Sequence, residues 1–155
     1  MDELTHLDEH GNARMVDVGA KDRRDREAAA EAIVVLSKPT RVALFGGSLP
    51  KGDAIAVARV AAIQAVKRTA ELIPLCHPLY LSAVDVDIEE IEAGVRLVVT
   101  VRTTDRTGVE MEALTGAAVG GLTIYDMVKG LERGAEIGPV RLLRKSGGAS
   151  GLWER

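Results

Sequence analysis

Aromatic residues are scarce in this sequence, and basic residues do not outnumber acidic ones. One Trp, one Phe and two Tyr make up 3% of the 155 residues, so stacking of nucleic-acid bases on aromatic side chains is not expected. The formal net charge is −3, whereas a protein that binds phosphate backbones usually carries an excess of positive charge. These two absences predict that nucleic acid is not a partner.

Cysteines and long apolar runs are also lacking. Cys76 is the only cysteine, so the chain cannot form an internal disulfide, which is typical of a reducing compartment. No apolar run approaches the roughly eighteen residues of a membrane span, and the charged start MDELTHLDEHGNARM does not look like a signal peptide. We therefore expect a cytoplasmic protein without a membrane partner. The length and the 46% share of hydrophobic residues predict a single domain over residues 1–155.

The most informative stretch runs from Gly108 to Gly130, GVEMEALTGAAVGGLTIYDMVKG. Its apolar residues recur at spacings of three and four, which predicts a helix. Gly116, Gly120 and Gly121 would each cost that helix about 1 kcal/mol relative to alanine. Such a cost is reasonable if another backbone packs very close to the helix. We therefore assign the middle of this helix to packing.

The two ends of the same helix carry charged residues. Glu110 and Glu112 stand at its start, where carboxylates suit the helix dipole. Asp126 and Lys129 stand near its end, three residues apart on one face, and their apolar neighbours favour partial burial. Fourteen residues of helix at 1.5 Å each separate Glu112 from Asp126 by roughly 21 Å. One straight helix cannot bring both residues to one small substrate. Either the two residues serve different sites, or one site takes them from two copies of the chain.

The rest of the chain predicts an α+β fold. We expect an antiparallel four-stranded sheet, ferredoxin-like in character, with helices packed on one face. An extended arm over residues 1–25 and a flexible tail over residues 146–155 would flank it. The elements expected between them are a strand ending near Ser37, a short helix from Lys38 or Pro39 to Phe45, a buried helix from Ala54 to about Leu72, a β-hairpin of residues 79–88 and 95–103, and a last strand over residues 137–145.

Two lysines outside the central helix are candidates for anion binding. Lys51 belongs to the loop GGSLPKGD, which lacks the spacing and the Ser or Thr of a Walker A motif but precedes a helix that Asp53 is expected to cap. Lys145 comes directly before SGGASG, and we assign both lysines to glycine-bearing loops. Together with Lys129 they would suit a polyanion, while carboxylates and His77 would suit proton transfer.

Three further residues have an ordinary interpretation beside a functional one. Cys76 and His77 are too few for a metal site, because the other histidines, His6 and His10, lie in the arm. Cys76 itself is most simply a small buried hydrophobe. Arg26 belongs to the charged run KDRRDRE, whose arginines are either solvated or reach a phosphate. We include Arg26 and Glu110 among the candidate substrate-binding residues and predict no metal site.

The sequence as a whole resembles one known family. The matching stretches are LTHLDEHGNARMVDV, PKGDAIAVARVAAIQAVKRTAELIPLCHPL, TDRTGVEMEALTGAAVGGLTIYDMVK and IGPVRLLRKSGGASG. In these stretches, which cover nearly the whole chain, it resembles the MoaC family of molybdenum cofactor biosynthesis proteins, the cyclic pyranopterin monophosphate synthases. The glycine-rich helix middle, GAAVGG, departs from what we expect of the family, and this affects packing rather than the site.

The resemblance implies a function. Family enzymes are lyases that convert a cyclic dihydroguanosine triphosphate, made from GTP by a preceding radical enzyme, into cyclic pyranopterin monophosphate and diphosphate. It implies catalytic roles for Asp126, Lys129 and Lys51, with Lys145 in the same site. It also implies a homohexamer, a trimer of dimers, with each site at a subunit interface. The substrate contacts that it implies come from Leu75, Cys76, His77, Met111 and Glu112.

Several alternatives stay open at this point. Lys129 would either transfer protons and stabilise anions or form a Schiff base. A nucleotide-binding or scaffold protein without catalysis is the second functional hypothesis, since a fold alone does not fix a function. No cofactor is predicted. Mg²⁺ is compatible with a triphosphate substrate, but no acidic cluster in the sequence calls for it.

Overall fold

One antiparallel sheet with helices on one face forms the fold. The computed structural model describes residues 5–155. Its strands pair in the order β2-β3-β1-β4-β5, and β1 lies between β3 and β4. The elements along the chain are β1 (Arg24–Val35), α1 (Lys38–Phe45), α2 (Ala54–Lys67), α3 (Thr69–Leu72), β2 (Leu81–Ile91), β3 (Gly94–Asp105), α4 (Glu110–Val128), β4 (Glu136–Ser146) and β5 (Trp153–Glu154).

The two faces of β1 explain where the core lies. Small and branched apolar residues alternate along it, and Ala28, Ala30, Ala32 and Val34 are all fully buried. The core continues from this face to α4, because Gly121 of α4 lies against Ala32 and Val34. With α2 and α4 as the crossovers, the first four strands follow the β-α-β-β-α-β order.

The opposite face of β1 carries a buried carboxylate. Glu31 is only 2% exposed, and each of its oxygens accepts a 2.6 Å hydrogen bond, from Arg96 Nε of β3 and from Arg141 Nε of β4. Burial alone would raise the pKa of Glu31, but the two arginines outweigh it and lower the pKa. This ion pair ties the three central strands together on the side that no helix covers.

The α+β class and the antiparallel sheet are confirmed, but the predicted count of four strands is wrong. The sheet has five strands, because the tail expected to be flexible adds β5, whose Trp153 and Glu154 pair with Lys145 and Arg144 of β4. The arm is also shorter than the predicted residues 1–25, since β1 begins at Arg24. Residues 1–4 of that arm lie outside the described part.

The helix predicted from Ala54 to about Leu72 differs from the structure in two ways. It ends at Lys67, and α3 follows, because the Thr69 hydroxyl donates to the carbonyls of Ala65 and Val66 and competes with helix propagation. It is also buried on one face only. The buried alanines of α2, such as Ala58 and Ala62, face α4, whereas Val57 and Val60 are exposed.

The glycines of α4 lie where α2 and the sheet come close, as the sequence indicated. A Cβ on Gly116 would stand 2.5 Å from Val66 Cγ2 and 3.0 Å from Val99 Cγ1, and one on Gly120 would stand 2.8 Å from Leu97 Cδ2. Ala62 of α2 lines both positions, with its carbonyl oxygen near Gly116 and its Cβ near Gly120. The small residues of the two helices therefore set the distance between them.

We predict that Gly116→Ala destabilises the protein although alanine is the better helix former. Overpacking costs about 1–3 kcal/mol and the propensity gain returns about 1 kcal/mol, so the free energy of unfolding should fall by up to roughly 2 kcal/mol. Gly130→Ala is the matched control, because a Cβ there meets nothing within 4 Å. Chemical denaturation measures both variants. Equal stability of the Gly116 variant and the wild type would show that α2 and α4 can move apart without a cost in free energy.

Candidate active site

The candidate residues fall into two groups at opposite ends of α4. Lys51, Asp126 and Lys129 meet at its C-terminal end and form what we call the lysine–aspartate cluster. The other candidates surround the start of the helix. Within one chain the structure does not bring these two groups together, which agrees with the roughly 21 Å expected from helix rise.

The lysine–aspartate cluster is held by hydrogen bonds from both lysines to one aspartate. Lys51 Nζ lies 2.9 Å from Asp126 Oδ2 and 2.8 Å from the Asp126 carbonyl oxygen, and Lys129 Nζ lies 2.8 Å from Asp126 Oδ1. The loop that carries Lys51 is fixed beside α2, because the Asp53 side chain accepts from the Ala56 N–H. All three side chains of the cluster are about half exposed, with values from 44% to 53%, so the expected partial burial is modest in a single chain.

The two lysines set the charge state of the cluster. Hydrogen bonds from Lys129 and then from Lys51 lower the pKa of Asp126 to about 2. The same contact with Asp126 raises the pKa of Lys129. At neutral pH the cluster therefore holds a carboxylate between two ammonium groups, with a net positive charge directed at solvent.

A cavity of about 360 Å³ lies at the other end of α4, and we call it the N-terminal cavity. Leu75, Cys76 and His77 form one wall of it, from the segment that follows α3. Its opposite wall comes from the first turn of α4 and the residues just before it. That wall consists of Thr107, Gly108, Glu110, Met111 and Glu112.

Glu112 is the buried titratable group of this cavity. It is 4% exposed, and burial, reinforced by the charge of Glu110, raises its pKa to about 7. Cys76 is partly buried rather than fully buried, and burial followed by the Glu112 charge raises the pKa of its thiol. A cysteine with a raised pKa is a poor nucleophile, so its contribution to the cavity is packing.

Lys145 contacts Glu110, a lining residue of the N-terminal cavity, from the sheet. Its Nζ lies 3.4 Å from Glu110 Oε1 and donates to Ser150 Oγ at 2.7 Å. The assignment of Lys145 to a glycine-bearing loop is wrong, because it lies in β4, paired with Ala28 of β1. Because the backbone of Lys145 is held in the sheet, the direction of its Cα–Cβ bond is fixed. Arg26 lies in an adjoining cleft, where its Nε donates to the Asp105 carbonyl.

The chain that precedes β1 contributes cavity residues that the sequence patterns did not single out. The ring of His77 pairs with the Val16 carbonyl through a 2.7 Å hydrogen bond from Nε2, and this contact fixes part of the arm against the cavity. The arm residues that line the cavity are Thr5, His6, Val16, Val18 and Lys21. Four of them lie in the family-like stretch LTHLDEHGNARMVDV and Lys21 begins the charged run KDRRDRE, but none of the five belongs to a periodic pattern.

Two further features of residues 5–155 bear on the type of site. No group of three or more His, Cys, Asp or Glu side chains in this range is arranged to hold a metal ion. In the same range, no helix combines the length and the apolar character needed to cross a membrane.

Comparison with known proteins gives one consistent result. The family model described as "MoaC family" matches residues 15–148. The chain is 55% identical over 153 residues to a cyclic pyranopterin monophosphate synthase of Roseiflexus castenholzii, covering 97% of both chains. It is 53% identical over 154 residues to the protein of the same name from Streptomyces avermitilis, covering 99% of this chain and 91% of that one. The Brucella ovis protein of that name is 53% identical over 152 residues, with 97% and 92% covered.

The raised pKa of Glu112 predicts a distinctive pH dependence of stability. A carboxyl whose pKa rises from 4.5 unfolded to about 7 folded binds a proton more tightly in the folded state. Its stabilisation is complete below pH 4.5 and is lost as the pH rises to about 7, by up to roughly 3 kcal/mol at about 1.4 kcal/mol per pKa unit. Glu112→Gln, which cannot ionise, should lack this loss.

Urea unfolding of both proteins across this pH range measures the effect. The difference in unfolding free energy between the Gln variant and the wild type should grow with pH and level off above pH 7. A constant difference would mean that Glu112 is ionised in the folded protein throughout.

Proposed function

This chain belongs to the MoaC family, and we propose from that membership that it is a cyclic pyranopterin monophosphate synthase, a lyase of molybdenum cofactor biosynthesis. Identity of 53–55% to enzymes of that name over nearly the whole chain carries the proposal. The substrate would be the cyclic dihydroguanosine triphosphate of the family, and the products would be cyclic pyranopterin monophosphate and diphosphate.

The N-terminal cavity is suited to proton transfer on the nucleoside part of the substrate. Glu112 has a pKa of about 7, which lets one group both give and accept a proton near neutral pH. Lys145 adjoins the same cavity and can donate hydrogen bonds to oxygens that gain charge. His77 lines the cavity, and because its Nε2–H donates to the Val16 carbonyl, Nδ1 of the neutral ring is left to accept a hydrogen bond from the substrate. We assign Leu75, Cys76 and Met111 to contacts with the substrate.

The lysine–aspartate cluster is suited to the phosphates. Lys51 and Lys129 would neutralise the triphosphate and the charge that develops as diphosphate leaves. Asp126, with a pKa of about 2, is a weak base until phosphate oxygens draw the lysines away from it, and its pKa would then return toward its usual range. The raised pKa of Lys129 keeps its amine protonated, which favours electrostatic and acid–base roles over a Schiff base.

We further propose that one site combines the N-terminal cavity of one chain with the lysine–aspartate cluster of another. The two groups stand at opposite ends of one rigid helix. A two-fold contact between two chains would place the N-terminal end of α4 in one chain beside the C-terminal end of α4 in the other. Exposed apolar side chains support assembly: Val57 and Val60 share a face of α2, and Leu122 is exposed on α4. The hexamer implied by the family resemblance, and a cytoplasmic location, stay predictions.

The alternative is a protein that binds the cyclic triphosphate without converting it. Incubation with freshly made cyclic triphosphate, followed by detection of pterin and diphosphate, separates the two hypotheses. A synthase yields both products, with and without added Mg²⁺ as a substrate counter-ion. Recovery of unchanged triphosphate from a protein that binds it would overturn the proposed activity.

We expect Asp126→Asn to reduce turnover at least about a hundredfold, the usual contribution of a positioned proton-transfer group. The amide keeps the shape of the side chain but cannot hold two ammonium groups or cycle a proton. Asp53→Asn is the control, because an amide caps a helix about as well as a carboxylate. Size-exclusion chromatography should show unchanged assembly for both. Near-normal product formation by the Asp126 variant would remove it from the catalytic group.

Complementation tests the shared site. Asp126→Asn and Glu112→Gln proteins should each be inactive alone. When mixed and reassembled, half of the two-fold pairs would be mixed and each would hold one intact site of two, so about a quarter of wild-type activity should return. A pull-down through a tag on one variant verifies mixed assemblies. If such assemblies form and stay inactive, Asp126 and Glu112 do not come from different chains of one site.

A further inference from the structure

Glu112 stands between two cavities. One is the N-terminal cavity, and the other is a smaller space of about 130 Å³, which we call the rear cavity. The rear cavity is bounded by Glu112, by the junction of α2 and α3, and by the segment that leads into β2. Glu112, His77 and Leu79 line both cavities and so form the wall between them. The Glu112 side chain therefore has a second opening, which does not pass through the N-terminal cavity.

The Glu112 carboxyl lacks partners among the other side chains. It is 4% exposed, and within residues 5–155 the only hydrogen bond that bears on its pKa comes from its own backbone. One N–H cannot satisfy two carboxyl oxygens, and buried polar atoms normally find a partner in protein or in ordered water. No unpaired side-chain oxygen in this range is sealed off from space that water can enter. Water is thus the partner left to this carboxyl.

The lining of the rear cavity offers polar groups from Glu112 to the surface. Thr69 is 1% exposed, and its hydroxyl donates to two carbonyls of α2, so its oxygen is free to accept from water. Lys67 and Glu71 line the same cavity and are exposed, so they stand at its outer rim. The volume has room for several waters, since one water takes about 30 Å³ in the liquid.

A substrate in the N-terminal cavity would close the other route from Glu112 to solvent. Under the proposed function, Glu112 gives and accepts protons on the nucleoside part of the substrate. Each turnover must return the carboxyl to its starting protonation state before the next one can begin. With the N-terminal cavity filled, the rear cavity is the route by which a proton can reach or leave this carboxyl.

We propose that the rear cavity holds a chain of water molecules through which Glu112 exchanges protons with solvent while the N-terminal cavity is occupied. Glu112 releases its proton to the nearest water, each water passes one proton on, and the last water releases one to solvent. The reverse sequence protonates the carboxylate again, and no redox step is involved. The need for this exchange rests on the proposed function, whereas the water chain rests on the geometry of the rear cavity.

Filling the rear cavity tests this role. Ala70 lines it and is only partly exposed, so Ala70→Leu should occupy the space of the waters. We expect kcat to fall about tenfold or more, because a positioned proton-transfer group contributes about a hundredfold or more to turnover. KM should stay close to the wild-type value, since Ala70 does not line the N-terminal cavity. The solvent deuterium isotope effect on kcat should rise, because delivery of protons then limits turnover.

Two control variants separate the water chain from a general effect on packing. Ala70→Ser changes the same position but leaves the cavity open. Ala61→Leu makes the same enlargement in α2, at a partly exposed alanine that lines neither cavity. Both should keep the kcat and the isotope effect of the wild type. Equal losses of kcat in Ala70→Leu and Ala61→Leu would contradict the inference, and thermal unfolding shows whether each variant is folded.

A crystal structure of the full-length wild type that resolves ordered water tests the chain without any turnover. Waters in the rear cavity that hydrogen-bond to Glu112, and that are absent from Ala70→Leu, support the chain even if the protein makes no pterin. A dry rear cavity overturns the inference. So does an active synthase whose kcat and isotope effect are unchanged by Ala70→Leu, and in that case the proposed activity itself stands.

Discussion

The close packing of α4 against α2 and the sheet is the constraint on which the rest of the structure depends. Gly116 and Gly120 bring the helix so close to Ala62, Val66 and Leu97 that it cannot shift without opening the core. A helix fixed in this way keeps its two ends at a constant separation. Charged groups at the two ends keep that separation, which is why one chain holds two separate groups of candidate residues.

The two ends of α4 create opposite electrostatic environments for carboxylates. Hydrogen bonds from two lysines lower the pKa of Asp126, while burial and a neighbouring carboxylate raise the pKa of Glu112. Two carboxyl groups with pKa values pushed apart can serve as a fixed charge and as a proton carrier at one pH. The fold achieves this with two ordinary carboxyl groups, because their surroundings differ: two lysines contact Asp126, whereas Glu112 is buried beside Glu110.

Sequence reasoning located most elements and named the residues of the lysine–aspartate cluster and many that line the N-terminal cavity, whose roles stay predictions. The hydrophobic period predicted α4, and the proline after Lys38 correctly placed α1 at Lys38–Phe45. It missed β5 because two residues of strand carry no pattern, and it extended α2 because Thr69 breaks the helix through a side-chain hydrogen bond that propensity does not contain. It placed Lys145 in a loop because the following glycines suggested one. Arg26 was included as a candidate from its charged run, but its position beside Arg106 and the loop of Gly148 could not be predicted, since these segments meet only in the folded chain.

The pKa of Glu112 couples the site to assembly. In the isolated chain, burial keeps this carboxyl protonated up to about pH 7. An ammonium group of a second chain placed beside it would favour the carboxylate and lower its pKa, while the lysine in turn would lose part of its attraction to Asp126. A shared site would therefore redistribute protons as it forms, and the titration of Glu112 would differ between separate and assembled chains. The proton affinity of Glu112 at one end of α4 would then depend on the partner that contacts the other end, because the packing of the helix fixes both ends.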